Sequence, residues 1–293
     1  MTGMNGIRLG AHSQMFVHDI AEDPGLVFDE VARCGLHAVE VHVADPGNFP
    51  EQEVLEAADR TGLQVVLGTA LAADASTISD DPEIRSRGIA HLERCIRLAS
   101  RLGASTIAGG IHSANGVFAG RGRTTEEWER SVQALQQVAP LAEEYGITLT
   151  LEPVSRYSGY FLNSAEDAVQ LADAVGSTHI AVQLDTFHMN IEEADPAEAI
   201  RLVGERLKHV HVVEGNRGVP GTGQVPWRSV FAALRDIDYS GLLVYEHFPV
   251  TLPTMATRTH TWRSLASSQD VCVYGTENLR RAAREAGFLE EDK

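Results

Sequence analysis

Eight short apolar runs, each followed by a stretch with helical spacing, alternate along this 293-residue chain. The runs fall at 7–13, 38–43, 63–69 and 105–111, then at 147–153, 179–186, 209–215 and 242–248. Continuous apolar strands of this kind suit a parallel sheet covered on both faces. GLVFDEVARCG, PEQEVLEAADRTG and EIRSRGIAHLERCIRLASRLG each end at a glycine, the expected helix stop. TTEEWERSVQALQQVAPLAEEYG opens with a Thr124-x-x-Glu127 capping pattern and stops at Gly146. SAEDAVQLADAVG, DPAEAIRLVGERL and VPWRSVFAALRDI complete the later units, and residues 258–288 supply a final helix or two. Such alternation builds either a barrel or an open doubly wound sheet. An open dinucleotide-binding sheet would carry GxGxxG after its first strand; GAHSQMF lacks it, and no Walker pattern occurs. The length also suits a barrel, which takes about 250 residues. The expectation is an α/β fold, a (β/α)8 TIM barrel filling 1–293 as a single domain, with an extra C-terminal helix.

Charge narrows the partners. Lys plus Arg number 24 against 41 Asp plus Glu, a formal net charge of −17. An acidic surface repels nucleic-acid backbones and anionic lipid headgroups. The expected partners are a small molecule and further copies of the chain, with no nucleic acid and no membrane. MTGMNGIRLGAHSQ shows no cationic start before an apolar run, and no segment is apolar enough to span a bilayer. Cys34, Cys95 and Cys272 lack zinc-site spacing, so buried free thiols and a cytoplasmic location are expected.

Chemistry concentrates at strand ends. Glu152, Asp185, His211 and Glu246 lie at or near the C-terminal ends of four consecutive strands, the face where barrel active sites assemble. One acidic residue at a strand end is usually a helix cap or a salt-bridge partner. Four in register point further. Three carboxylates at close quarters repel unless a cation compensates. Three oxygens and an imidazole suit Mn²⁺, Co²⁺, Mg²⁺ or Zn²⁺, and the lack of thiolates argues against structural zinc.

His188, three residues past Asp185, is read as a loop residue able to reach substrate, with a capping histidine as the alternative. His209 and His211 are read as pointing to opposite faces of strand seven. His211, nearer the strand's end, is taken as the inward one and His209 as structural. Arg217, beyond Gly215 in a glycine-rich loop, is a candidate cation for substrate hydroxyls.

LDTFHMNIEEAD, HVHVVEGNRGVPGTGQVPW, LVYEHF and EPVSRY together resemble strand-end segments of the ketose 3-epimerases (D-tagatose and D-allulose 3-epimerases), within the xylose-isomerase-like sugar isomerases. ALAADASTISDDPEIRSRG and GGIHSAN are similar to segments of the family's first half. The resemblance implies a cation, Mn²⁺ first, held by Glu152, Asp185, His211 and Glu246. It implies that Glu152 and Glu246 also form an acid/base pair on opposite faces of the sugar. His188 and Arg217 would hold substrate oxygens, with His112 and Ser158 among the further substrate contacts. One glutamate would take the C3 proton and the other return one to the opposite face, through a cis-enediolate.

Departures from the pattern bear on specificity. Ser158 stands where the family has a second glutamate, and Ser155 where it has Asn. QMF around Met15 replaces a Trp, and His247 replaces a small residue. Other reactions on this scaffold fit the same residues: a keto-inositol isomerase or dehydratase, or the catalytic subunit of a C-glycoside deglycosylase with a small β-rich partner. A metal-dependent apurinic-type endonuclease and a non-catalytic sugar-binding barrel rank lower. The first conflicts with the charge; the second gives no reason for an intact ligand set.

Overall fold

The computed structural model describes residues 8–289. Ile7, the start of the first apolar run, and the other residues of 1–7 read for a leader lie outside the described residues. The strands are β1 (Leu9–His12), β2 (Ala38–His42), β3 (Gln64–Gly68) and β4 (Thr106–Ala108). They continue as β5 (Thr148–Leu151), β6 (Ile180–Asp185), β7 (Leu207–Val212) and β8 (Leu242–Tyr245). Each pairs in parallel with the next, and β8 pairs with β1 to close the barrel.

The helices are α1 (Pro24–Arg33), α2 (Glu51–Thr61), α3 (Pro82–Arg101), α4 (Thr125–Tyr145) and α5 (Ala165–Val175). Then come α6 (Thr186–Glu192), α7 (Pro196–Val203), α8 (Trp227–Asp236), α9 (Pro253–Thr259) and α10 (Ser268–Glu285). The Thr124–Glu127 capping box forms as the pattern predicts. α4 ends where Gly146 adopts φ 66°, a left-handed stop that a Cβ would disfavour. Among the described residues, no helix is long and apolar enough to cross a membrane.

Several apolar runs outlast their strands. The run at 105–111 pairs only over Thr106–Ala108, and the one at 242–248 only over Leu242–Tyr245. Residues 109–111 and 246–248 follow their strands as loops at the barrel's C-terminal rim. β7 starts two residues before its apolar run because Lys208, an exposed residue, interrupts the pattern without ending the strand. α6 follows β6 directly where a loop was expected. Asp185 itself caps it, accepting from the Phe187 N–H at 2.7 Å.

The main core lies between sheet and helices, with Phe28, Leu92, Ile96, Leu135 and Phe231 fully buried. A second, small cluster of Ala38, Val66, Ala108, Leu242 and Val244 fills the lower barrel interior. Small and medium residues close the bottom and leave the upper interior to polar groups.

Candidate active site

Side chains alternate along a strand, so residues two apart share a face. Thr150 and Glu152, Gln183 and Asp185, and Val244 and Glu246 follow this parity inward. So do His209 and His211, and here the sequence expectation is corrected: two apart, they share the interior face. Glu40 on β2 proves the point. It bonds both histidines of β7, which is not its neighbour in the sheet, so all three meet across the interior.

At the rim, Glu152, Asp185 and His211 each bring one ligating atom within 4.8 Å of the others, all three residues being buried. His211 Nδ1 lies 3.6 Å from Glu152 Oε1 and 3.7 Å from Glu246 Oε2. Glu152 Oε1 and Asp185 Oδ2 are buried and accept no hydrogen bond. Two such oxygens beside an imidazole nitrogen are expensive to bury unless positive charge sits among them, and the ion pair of Arg217 reaches the Asp185 oxygen and leaves that of Glu152 to be balanced. The donor set fits a divalent cation that takes oxygen and imidazole ligands. Glu246 stands slightly apart from the three, its carboxylate paired with the Arg217 guanidinium, whose Nη1 also lies 3.1 Å from Asp185 Oδ2.

The electrostatics follow from burial and these neighbours. Burial raises the Asp185 carboxyl to about 7, against the pull of Arg217. Burial would raise Glu246 as well, but Arg217 and His211 outweigh it and hold its carboxyl below the usual carboxylate range. Burial disfavours a charged His211, yet the Glu40 and Glu246 carboxylates lift it well above an ordinary histidine. His188 is lowered to about 3 by burial, with Arg217 adding to the effect.

Above this floor lies a cavity of about 560 Å³ lined by His188, Arg217, Ser158, Glu152 and Glu246, among others. That volume is within the ordinary range for small-molecule sites. His188 sits in α6 and not in a loop. Its Nδ1 accepts from the Ser155 N–H at 3.0 Å, which aims the other face of the ring at the cavity.

Arg217 adopts φ 64°, a left-handed conformation that costs a non-glycine residue about 1–3 kcal/mol and persists only where surroundings impose it. They do. Its N–H donates to Glu214 O at 2.8 Å, and His247 Nδ1 donates to its carbonyl at 2.7 Å. Its guanidinium lies over the rings of Phe187 and Phe248, at 4.2 and 5.1 Å. Glu214, buried behind the loop, accepts from Gly221 N and Trp227 Nε1, both at 2.7 Å. His247, a departure from the resemblance pattern, therefore helps fix the arginine.

Ser158 lines the cavity, its hydroxyl 3.4 Å from that of Ser155. His112 is placed elsewhere: it does not line the cavity, and both ring nitrogens are engaged. Nε2 donates to the Glu152 carbonyl at 2.9 Å, and Nδ1 meets Ser113 Oγ at 3.0 Å. It stands behind Glu152, fixing that residue's backbone. Sequence reasoning passed over Glu40, Gln183 and Glu214. The available signal for Glu40 was a lone charge inside the apolar strand AVEVHV, at a parity shared with His42.

Comparison with known proteins agrees with this architecture. Residues 28–268 match the xylose isomerase-like TIM barrel model. The D-psicose 3-epimerase of Enterocloster bolteae is 33% identical over 89% of this chain and 88% of its own length. The L-ribulose 3-epimerase of Mesorhizobium japonicum is 31% identical over 88% of each. The crystal structure of a Methylomonas D-allulose 3-epimerase in complex with D-allulose superposes with a TM-score of 0.90 at 30% identity, covering 94% of this chain and 97% of that one. The chain belongs to the xylose isomerase-like TIM-barrel family and, within it, to the ketose 3-epimerases.

Proposed function

We propose that this chain is a divalent-cation-dependent epimerase that inverts C3 of a ketose by moving a proton beside the carbonyl. The observation that carries the cation is the pair of buried carboxylate oxygens, on Glu152 and Asp185, that face His211 without a hydrogen-bond partner. Membership among the ketose 3-epimerases supports the reaction and the substrate class.

Glu152, Asp185, His211 and Glu246 would hold the ion, with Mn²⁺ the first candidate and Co²⁺, Mg²⁺ or Zn²⁺ compatible with the same donors. When bound, the ion acts as a Lewis acid that makes the proton next to the ketone removable. Arg217 and His188 orient the substrate's oxygens. Glu246, kept ionised by Arg217, accepts the C3 proton: the C3–H bond breaks, an O–H bond forms on the carboxylate, and the electron pair passes into the enediolate. Glu152 delivers a proton to the other face, and the roles exchange in the reverse direction. Phe187 and Phe248, packed on Arg217, hold its guanidinium at the cavity wall.

Incubation of the Mn²⁺-loaded protein with D-psicose, D-tagatose and L-ribulose, followed by chromatography, should yield the C3 epimer of at least one. Absence of any epimer from a panel of ketopentoses and ketohexoses, with bound metal verified, overturns the proposal.

Ser158 sets a finer expectation. A carboxylate at this cavity position would accept a hydrogen bond from a substrate hydroxyl; a serine is shorter and uncharged. Such a bond is worth about 1.5–3 kcal/mol, or tenfold and more in kcat/KM. Ser158→Glu is expected to raise kcat/KM on a common ketohexose over the wild type, which favours a bulkier or less hydroxylated ketone. Full wild-type efficiency on ketohexoses, with no gain in the variant, makes Ser158 a neutral substitution.

A further inference from the structure

Glu40 belongs to none of the roles assigned so far, yet it is among the most completely buried charges in the molecule, 1% exposed inside the barrel. A lone carboxylate there would be untenable without partners. Its Oε2 receives His209 Nε2 at 2.7 Å and His211 Nε2 at 3.0 Å, and its Oε1 lies 3.9 Å from His12 Nε2. The neighbouring strand makes room for it. A Cβ at Gly68 would fall 2.6 Å from Glu40 Oε1, so any larger residue on that face of β3 would push the carboxylate from its place.

The two ring nitrogens of His211 thus look in opposite directions. Nε2 faces Glu40, and Nδ1 faces Glu152 and Glu246. A neutral imidazole carries one proton, and the nitrogen without it is the one that can ligate. Gln183 packs against the same ring: its carbonyl oxygen accepts from Gly109 N at 2.9 Å, and its amide nitrogen lies 3.2 Å from His211 Nδ1 and 3.4 Å from Nε2, so the direction of the ring is set by Glu40 and not by this amide.

We propose that Glu40 is a positioning residue: by accepting from His211 Nε2 it fixes the ring's orientation and tautomer, so that Nδ1 offers its lone pair to a cation beside Glu152 and Asp185. This rests on the cation-dependent reading given above. A carboxylate behind a ligating imidazole typically carries about 10- to 100-fold in metal affinity. His209, in contrast, completes the hydrogen bonding of Glu40 and does not line the cavity.

The test is Mn²⁺ titration of the intact protein, with free Mn²⁺ read by electron paramagnetic resonance, on wild type, Glu40→Gln, Glu40→Asp and His209→Gln. Glu40→Gln is expected to weaken Mn²⁺ binding about 10- to 100-fold, with turnover largely recovered at saturating Mn²⁺. Glu40→Asp, which keeps the charge but draws it back, should fall between the two and stands in if the Gln variant does not fold. His209→Gln disturbs the same buried network and should bind Mn²⁺ close to wild type. Wild-type affinity in folded Glu40→Gln, or an equal loss in His209→Gln, overturns the proposal by showing only a structural network. A wild type that binds no Mn²⁺ refutes the cation reading itself, and this assignment with it.

Discussion

Glu246→Gln is expected to lower turnover of a ketose by about 10²- to 10⁴-fold, and Glu152→Gln to do the same, because a proton shuttle needs both ends. The two carboxylates lie 3.7 and 3.6 Å from one imidazole nitrogen at the cavity floor, so either can face a substrate held by Arg217. The amide keeps the shape and removes the titrating group. Both residues are also candidate ligands, so bound metal has to be counted beside the rate. If either variant retains metal and keeps near-normal turnover, that glutamate is not part of the shuttle. The Glu246 variant carries a second signature: Arg217 loses its carboxylate partner, and binding of ketose weakens along with catalysis.

Exhaustive chelation is expected to abolish activity and lower the melting temperature, and Mn²⁺ or Co²⁺ to restore both. The physical ground is the cost of burying Glu152 Oε1 and Asp185 Oδ2 without hydrogen bonds. An ion that binds only the folded chain adds about 2.7 kcal/mol of stability at a hundredfold excess over its Kd. The melting temperature should therefore climb with cation concentration. Full activity in protein verified as metal-free by elemental analysis contradicts the assignment of this donor set.

Much of this architecture was legible because barrels impose two simple rules. Apolar runs mark strands, and residues at or just past a strand's C-terminal end gather at the common rim, where Glu152, Asp185 and Glu246 stand. The errors have equally simple sources. Placing His209 and His211 on opposite faces missed that side chains repeat every second residue, and with it the shared partner Glu40. α6 was read as a loop because one seven-residue helix capped by a strand's last residue leaves little periodicity to detect. His112 was assigned to substrate through GGIHSAN, whereas its ring turns back to the Glu152 carbonyl, a direction that depends on the loop after β4 and not on local sequence. Glu214 shows the same limit: its bonds to Gly221 and Trp227 span a loop whose path only the folded chain reveals. Long-range polar pairing carries no signature in a single sequence.

The central claim is that carboxylates move a proton at C3, and solvent isotope exchange tests it most directly. The Mn²⁺-loaded protein is incubated in D₂O with a ketose it epimerises, and the C3–H resonance of both epimers is followed by NMR. Proton abstraction by one glutamate and return from another predicts deuterium at C3 of the product. On approach to equilibrium it predicts deuterium in the recovered substrate as well. Complete epimerisation with protium retained at C3 of both sugars would contradict the account.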